Sequence, residues 1–168
     1  MPDGPPYYQL IEGNLIMSPS ANFYHQTIVG RLFISIGNYL ENHPIGSVTI
    51  SPSDVFLDDI NVFQPDLYFV RNENHDVIVK EGVRGSPDLV VEILSPSNSE
   101  RDRNEKRQVY ARAGVPEMWI VDPDVRAIEV HFLSQGLNAA PLVAREPEAF
   151  EPALFPGLKV DTVRLFKQ

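Results

Sequence analysis

A single charge inside an otherwise apolar run, Leu89-Val90-Val91-Glu92-Ile93-Leu94, sets the terms for the rest of this sequence. The run does not alternate apolar with polar, so it reads as a strand buried on both faces. Such a strand needs layers packed over it on either side. A carboxylate within it loses its hydration unless it is paired or binds a cation. A salt-bridged core glutamate, or a carboxylate at an exposed strand end, is the plainer reading of the strand taken alone.

The remaining pattern supplies the layers. Residues 7–17 read as a β-hairpin turning at Glu12-Gly13-Asn14. A helix is expected over about 21–42, with Ile28, Val29, Leu32, Ile36, Tyr39 and Leu40 as its apolar stripe. It ends at His43-Pro44-Ile45-Gly46. Ser47–Leu57 reads as one strand, and Val62–Val70 as another, joined by a turn at 58–61. After Leu94, Ser95-Pro96-Ser97-Asn98-Ser99 breaks the strand and supplies helix caps. A helix over about 99–113 stops at Gly114-Val115-Pro116. Two strands follow, Met118–Val121 and Ile128–Leu133. The tail around Leu154-Phe155-Pro156-Gly157-Leu158 is expected to pack back on the core. The order predicts an α/β (α+β) fold, a mixed sheet with helices on its faces.

The chain has 168 residues, which fits one domain over 1–168 with residues 1–6 flexible. It has no cysteine, which excludes disulfides and thiolate metal sites. No apolar run approaches the ~20 residues that cross a bilayer, so a soluble cytoplasmic protein with no membrane partner is expected. Fourteen Lys+Arg against 23 Asp+Glu give a net charge of −9. That argues against constitutive coating of nucleic acid, though a local basic patch is compatible with it.

Other candidate residues gather around Glu92. Asp66 follows Pro65 inside an apolar stretch, and a proline there marks a bend that aims a side chain. A hairpin centred on 59–60 would set Asp54 opposite Pro65 or Asp66. Like charges so placed repel unless a cation lies between them. Asp54 pointing to solvent is the alternative. Lys106 shares a helical stripe with Asp102, Tyr110 and Ala113. Its plain reading is a surface Asp–Lys pair, worth about 0.3–0.5 kcal/mol. His25 opens the apolar stripe of the first helix, where a packed core histidine is the common case and a proton carrier the other.

These residues carry a resemblance. Gln64-Pro65-Asp66 and Pro87-Asp88-Leu89-Val90-Val91-Glu92-Ile93-Leu94 resemble the signature of PD-(D/E)XK nucleases. The segments 102–110 and 113–123, the opening 8–15 and Ser18-Pro19…His25 resemble, more specifically, the Uma-type restriction endonuclease family. The likeness runs from residue 7 to about 160. It implies a restriction-endonuclease-like fold and a Mg²⁺- or Mn²⁺-dependent endonuclease cutting phosphodiester bonds in nucleic acid, with DNA the expected partner and a homodimer compatible. It implies that Asp66, Glu92 and the backbone carbonyl of Ile93 hold the ion, a hard-oxygen set that suits Mg²⁺. Asp54 would support the metal shell. Leu94 stands where the superfamily's lysine would be, and the resemblance moves that role to Lys106. Gln9 stands where relatives look acidic, which leaves Glu12, with Asp102, as auxiliary carboxylates. His25 would carry a proton or contact phosphate.

The predicted helix 99–113 holds Arg101, Arg103, Lys106, Arg107 and Arg112, five of the 14 basic residues. It is the candidate nucleic-acid face, with Arg101, Arg103 and Arg107 foremost. Glu100, Asp102 and Glu105 dilute it, so a solvated mixed-charge face is the alternative. Alanine at Asp66 or at Glu92 is expected to abolish cleavage with the fold intact. Two rival readings remain open here: an inactive nuclease fold kept as a binding module, and a hydrolase of small phosphate esters.

Overall fold

A computed structural model describes residues 7–17, 21–95 and 102–168. The predicted hairpin forms as β1 (Tyr8–Ile11) and β2 (Asn14–Met17), and the first helix as α1 (Phe23–Asn42). The side chain of Asn22 caps α1 by accepting the His25 backbone N–H at 2.8 Å. The expected stripe is the buried one, with Ile28, Val29, Leu32 and Ile36 inside and Tyr39 and Leu40 packed against the same core.

Two six-stranded sheets follow. The central one contains β3 (Gly46–Ile50), β6 (Leu67–Arg71), β9 (Leu89–Ile93), β10 (Glu117–Asp122), β11 (Ala127–Phe132) and β12 (Leu142–Arg145). Their spatial order is β12-β11-β10-β9-β6-β3. Only β9 and β10 run parallel, and that crossover is made by the helical segment after β9. Its described part is a π turn, Asp102–Lys106, that continues as α2 (Arg107–Arg112). The part of the predicted helix before residue 102 lies outside the described residues.

The second sheet adds β4 (Asp54–Phe56), β5 (Val62–Phe63), β7 (Ile78–Val79) and β8 (Gly82–Arg84) to the hairpin, in the order β2-β1-β5-β4-β8-β7. A short pair, β13 (Ala149–Phe150) and β14 (Val160–Asp161), and the final turn α3 (Thr162–Leu165) complete the chain. The mixed α+β architecture is the one read from the pattern.

Side-chain alternation divides the interior in two. Leu67, Phe69, Leu89, Val91, Trp119 and Val121 face α1 and the C-terminal tail. Tyr68, Val70, Val90, Met118 and Ile120 face the second sheet and α2, meeting Phe63, Val83, Val109 and Tyr110. Leu154, Phe155 and Leu158 join the first of these cores, as the tail was expected to do.

Three expectations need correction. The stretch 47–57 is two strands in different sheets, because the chain turns at Ser51-Pro52-Ser53 instead of continuing. Residues 62–70 likewise change sheets at Gln64-Pro65-Asp66. A proline fits that break because it has no N–H to leave unpaired. The β4–β5 register is also tighter than assumed. Val55 faces Phe63 and Phe56 faces Val62, which carries Asp54 to Gln64 and away from Asp66. Residues 71–88, without a reading from pattern, form a 3₁₀ segment and the small β7–β8 pair. Gly82 has a positive φ of 144°, and a Cβ there would lie 2.1 Å from the Asp54 carbonyl, so only glycine lets β8 approach β4.

At the far end of β10, Glu117 is buried and accepts the Trp119 indole N–H at 2.6 Å. Burial raises its pKa, and the indole bond and the charge of Arg71 only partly offset this. A carboxyl raised on folding contributes stability below its unfolded pKa and loses it as pH rises through the folded value. Glu117→Gln should therefore unfold close to wild type near pH 4 and gain on it steadily toward pH 7, read as melting midpoints across that range. A constant difference would contradict the assignment.

Candidate active site

Asp66 and Glu92 flank one end of the β6–β9 pairing. Leu67 pairs with Val91, and Asp66 stands one residue before Leu67 as Glu92 stands one residue after Val91. The Ile93 N–H, at the end of β9, donates to Asp66 Oδ2 at 2.7 Å. His25, near the start of α1, puts Nε2 3.2 Å from that same oxygen and 3.2 Å from the Ile93 carbonyl. Burial depresses the His25 pKa, but the hydrogen bond and charge of Asp66, the Ile93 carbonyl and the charge of Glu92 outweigh it, and the net shift is upward. Both carboxylates thus act on one imidazole. Its Nδ1 is buried without a hydrogen-bond partner among the described residues.

Glu92 is 3% exposed. By alternation it shares the face of Val90 and Leu94, toward α2. Lys106, also 3% exposed, donates from Nζ to Glu92 Oε2 at 3.0 Å. The Tyr110 hydroxyl donates to Oε1 at 2.7 Å. Lys106 and Tyr110 are one turn apart, so a single helix face delivers both donors. The π turn immediately before α2 ends on Lys106, and such local widening is frequent at functional positions.

Other expected members lie elsewhere. Asp54 Oδ1 accepts from the Gln64 side chain at 2.8 Å. Gln64 N–H in turn donates to Gln9 Oε1 at 3.3 Å, so the buried Gln9 braces the bend before Asp66. Glu12 sits in the hairpin turn and pairs with Arg112. Arg101 and the side chain of Asp102 fall outside the described residues.

The expected basic face is largely spent within the chain. Arg103 binds Glu129 at 2.7 Å and Asp122 at 2.8 Å. Arg107 contacts His131 Nδ1 at 3.2 Å. Arg112 holds Glu12, and Lys106 is buried on Glu92. These partners come from β10, β11, the hairpin and β9, which helical periodicity does not show. In the sequence Tyr110 stands out only as a member of the helical stripe that carries Lys106. Its spacing from Lys106 was the available signal for a shared target.

The donor set fits a hard divalent ion better than a zinc-type cluster. Among the described residues no three His, Cys, Asp or Glu side chains gather to hold a metal. Asp66 Oδ1 accepts no hydrogen bond among the described residues, and its side chain is 17% exposed. One free carboxylate oxygen, the Ile93 carbonyl and Glu92, completed by water, is an arrangement that suits Mg²⁺ or Mn²⁺. No described helix is long and apolar enough to cross a membrane.

Comparison with known proteins bears on the family and the fold. The model of the family Uma2, described as "Putative restriction endonuclease", matches residues 1–163. A solved structure titled as a "putative nuclease belonging to DUF820" from Anabaena variabilis ATCC 29413 superposes with a TM-score of 0.81 at 20% identity. The alignment covers 99% of this chain and 93% of that one. At that identity the likeness establishes the fold. No curated protein matches the sequence.

Proposed function

Because this chain belongs to the Uma2 family, we propose that it is a divalent-metal-dependent endonuclease that hydrolyses phosphodiester bonds in DNA at Asp66 and Glu92. The observation that supports the reading is the Ile93 N–H bond to Asp66 Oδ2, one residue along from Glu92, with the Ile93 carbonyl against the same His25 that meets Asp66. Asp66, Glu92 and that carbonyl would hold the ion. Once bound, Mg²⁺ or Mn²⁺ would neutralise phosphate charge and acidify a water molecule. Lys106 would place a fixed positive charge beside the scissile phosphate, or orient the attacking water, from a site already stripped of solvent. His25, held by Asp66, is positioned to take up or release a proton at Nε2.

One observation favours a second reading, the inactive binding module. The arginines of the π turn and α2 are committed to partners inside the chain, which leaves this surface little free charge for phosphate. Calorimetric titration with Mn²⁺, followed by incubation with plasmid DNA and with RNA in Mg²⁺ or Mn²⁺, separates the two. The nuclease reading expects saturable Mn²⁺ binding and cleavage that stops with chelator. Neither binding nor cutting of any substrate would leave the module.

A further inference from the structure

We propose that Tyr110 is a positioning residue whose hydroxyl fixes the rotation of the Glu92 carboxylate, and so sets the direction from which it can offer an electron pair to a divalent cation. The inference rests on the nuclease reading and adds a residue that none of the site's expected chemistry required.

The last torsion of a glutamate is broad, so a buried carboxylate can swivel unless something holds it. Lys106 alone would be a poor holder. Its ammonium is a point charge on a flexible stem and accepts many carboxylate orientations. Tyr110 is different. Its ring is fully buried and meets Phe63 edge-on, with centroids 5.1 Å apart and planes at 89°. Its backbone is fixed as well, because the Tyr110 carbonyl accepts the Val115 N–H at 3.0 Å. A phenol so clamped has a hydroxyl in one place, 2.7 Å from Glu92 Oε1. With Lys106 on Oε2, both oxygens are addressed and the plane of the carboxylate is set. Partners that orient a metal-binding carboxylate typically change metal affinity or activity by about 10–100-fold when removed.

The test is Tyr110→Phe, which keeps the ring against Phe63 and removes one oxygen. Mn²⁺ affinity, measured by calorimetry without nucleic acid, should weaken by about 10–100-fold. The metal concentration for half-maximal cleavage should rise in step, and KM for DNA should stay the same. The melting midpoint in chelator serves as the control for a merely structural role. Should Tyr110→Phe fail to fold, 3-fluorotyrosine at position 110 preserves packing while altering the phenol's acidity, and Mn²⁺ affinity must then change with fluorination. Unchanged Mn²⁺ affinity in a folded variant, beside a wild type that binds Mn²⁺, overturns the role of Tyr110 and leaves the nuclease reading standing. A wild type that binds no Mn²⁺ removes both.

Discussion

Asp66→Asn and Glu92→Ala should each abolish metal-dependent cleavage, but only the second should also damage the fold. Asp66 is partly exposed, and asparagine keeps an oxygen for the Ile93 N–H, so its loss is felt mainly by a bound cation and by His25. Glu92 lies in the second core, paired with a lysine as deeply buried as itself, both side chains 4% exposed. Removing it takes from a buried ammonium its Glu92 carboxylate. Breaking a buried pair from one side typically costs about 3–5 kcal/mol. The simpler expectation of an inert alanine, reasonable for a surface carboxylate, does not survive this burial. Glu92→Ala should therefore lose a large share of stability in urea, while Asp66→Asn shifts little. Replacing both partners, as in Glu92→Leu with Lys106→Met, should recover most of that stability without restoring cleavage, because an apolar pair of similar volume needs no hydration. Equal stability for Glu92→Ala and wild type would show that the pair is not closed in solution.

The reason Glu92 was legible lies in its neighbours. Five apolar residues around one charge announce a desolvated carboxylate before any fold is known, and the hairpin and α1 announce themselves by period. What stayed hidden depends on distant pairing. Arg103 looks like an exposed cation until β11 brings Glu129 to it, and Arg112 until the hairpin brings Glu12. Ser51-Pro52-Ser53 reads as an interruption within a strand, and only the sheets show that β3 and β4 belong to different layers. Asp54 was misplaced by the same kind of error, since a shift in hairpin register moves every facing residue. The short β7 and β8 carry too few residues to show any period.

The tail supplies the other large effect. In the run Leu154-Phe155-Pro156-Gly157-Leu158, expected to pack back on the core, Phe155 is 0% exposed. Its ring lies between three others, with centroids 4.9 Å from Phe69, 5.7 Å from Tyr39 and 6.2 Å from Trp119. Those rings belong to β6, α1 and β10, so Phe155 ties the end of the chain to both the central sheet and its covering helix. Phe155→Ala should cost about 3–5 kcal/mol, the usual range for emptying an aromatic site in a core that cannot fully collapse. Phe155→Leu should recover part of that loss, because it refills much of the cavity. The sheet end carrying Asp66 and Glu92 rests on this same core through Leu67 and Val91. Under denaturant, Phe155→Ala should therefore lose Mn²⁺ binding in the same transition as tryptophan fluorescence. If Mn²⁺ binding outlasts the fluorescence change, the tail packs as a separate unit and the site does not depend on it.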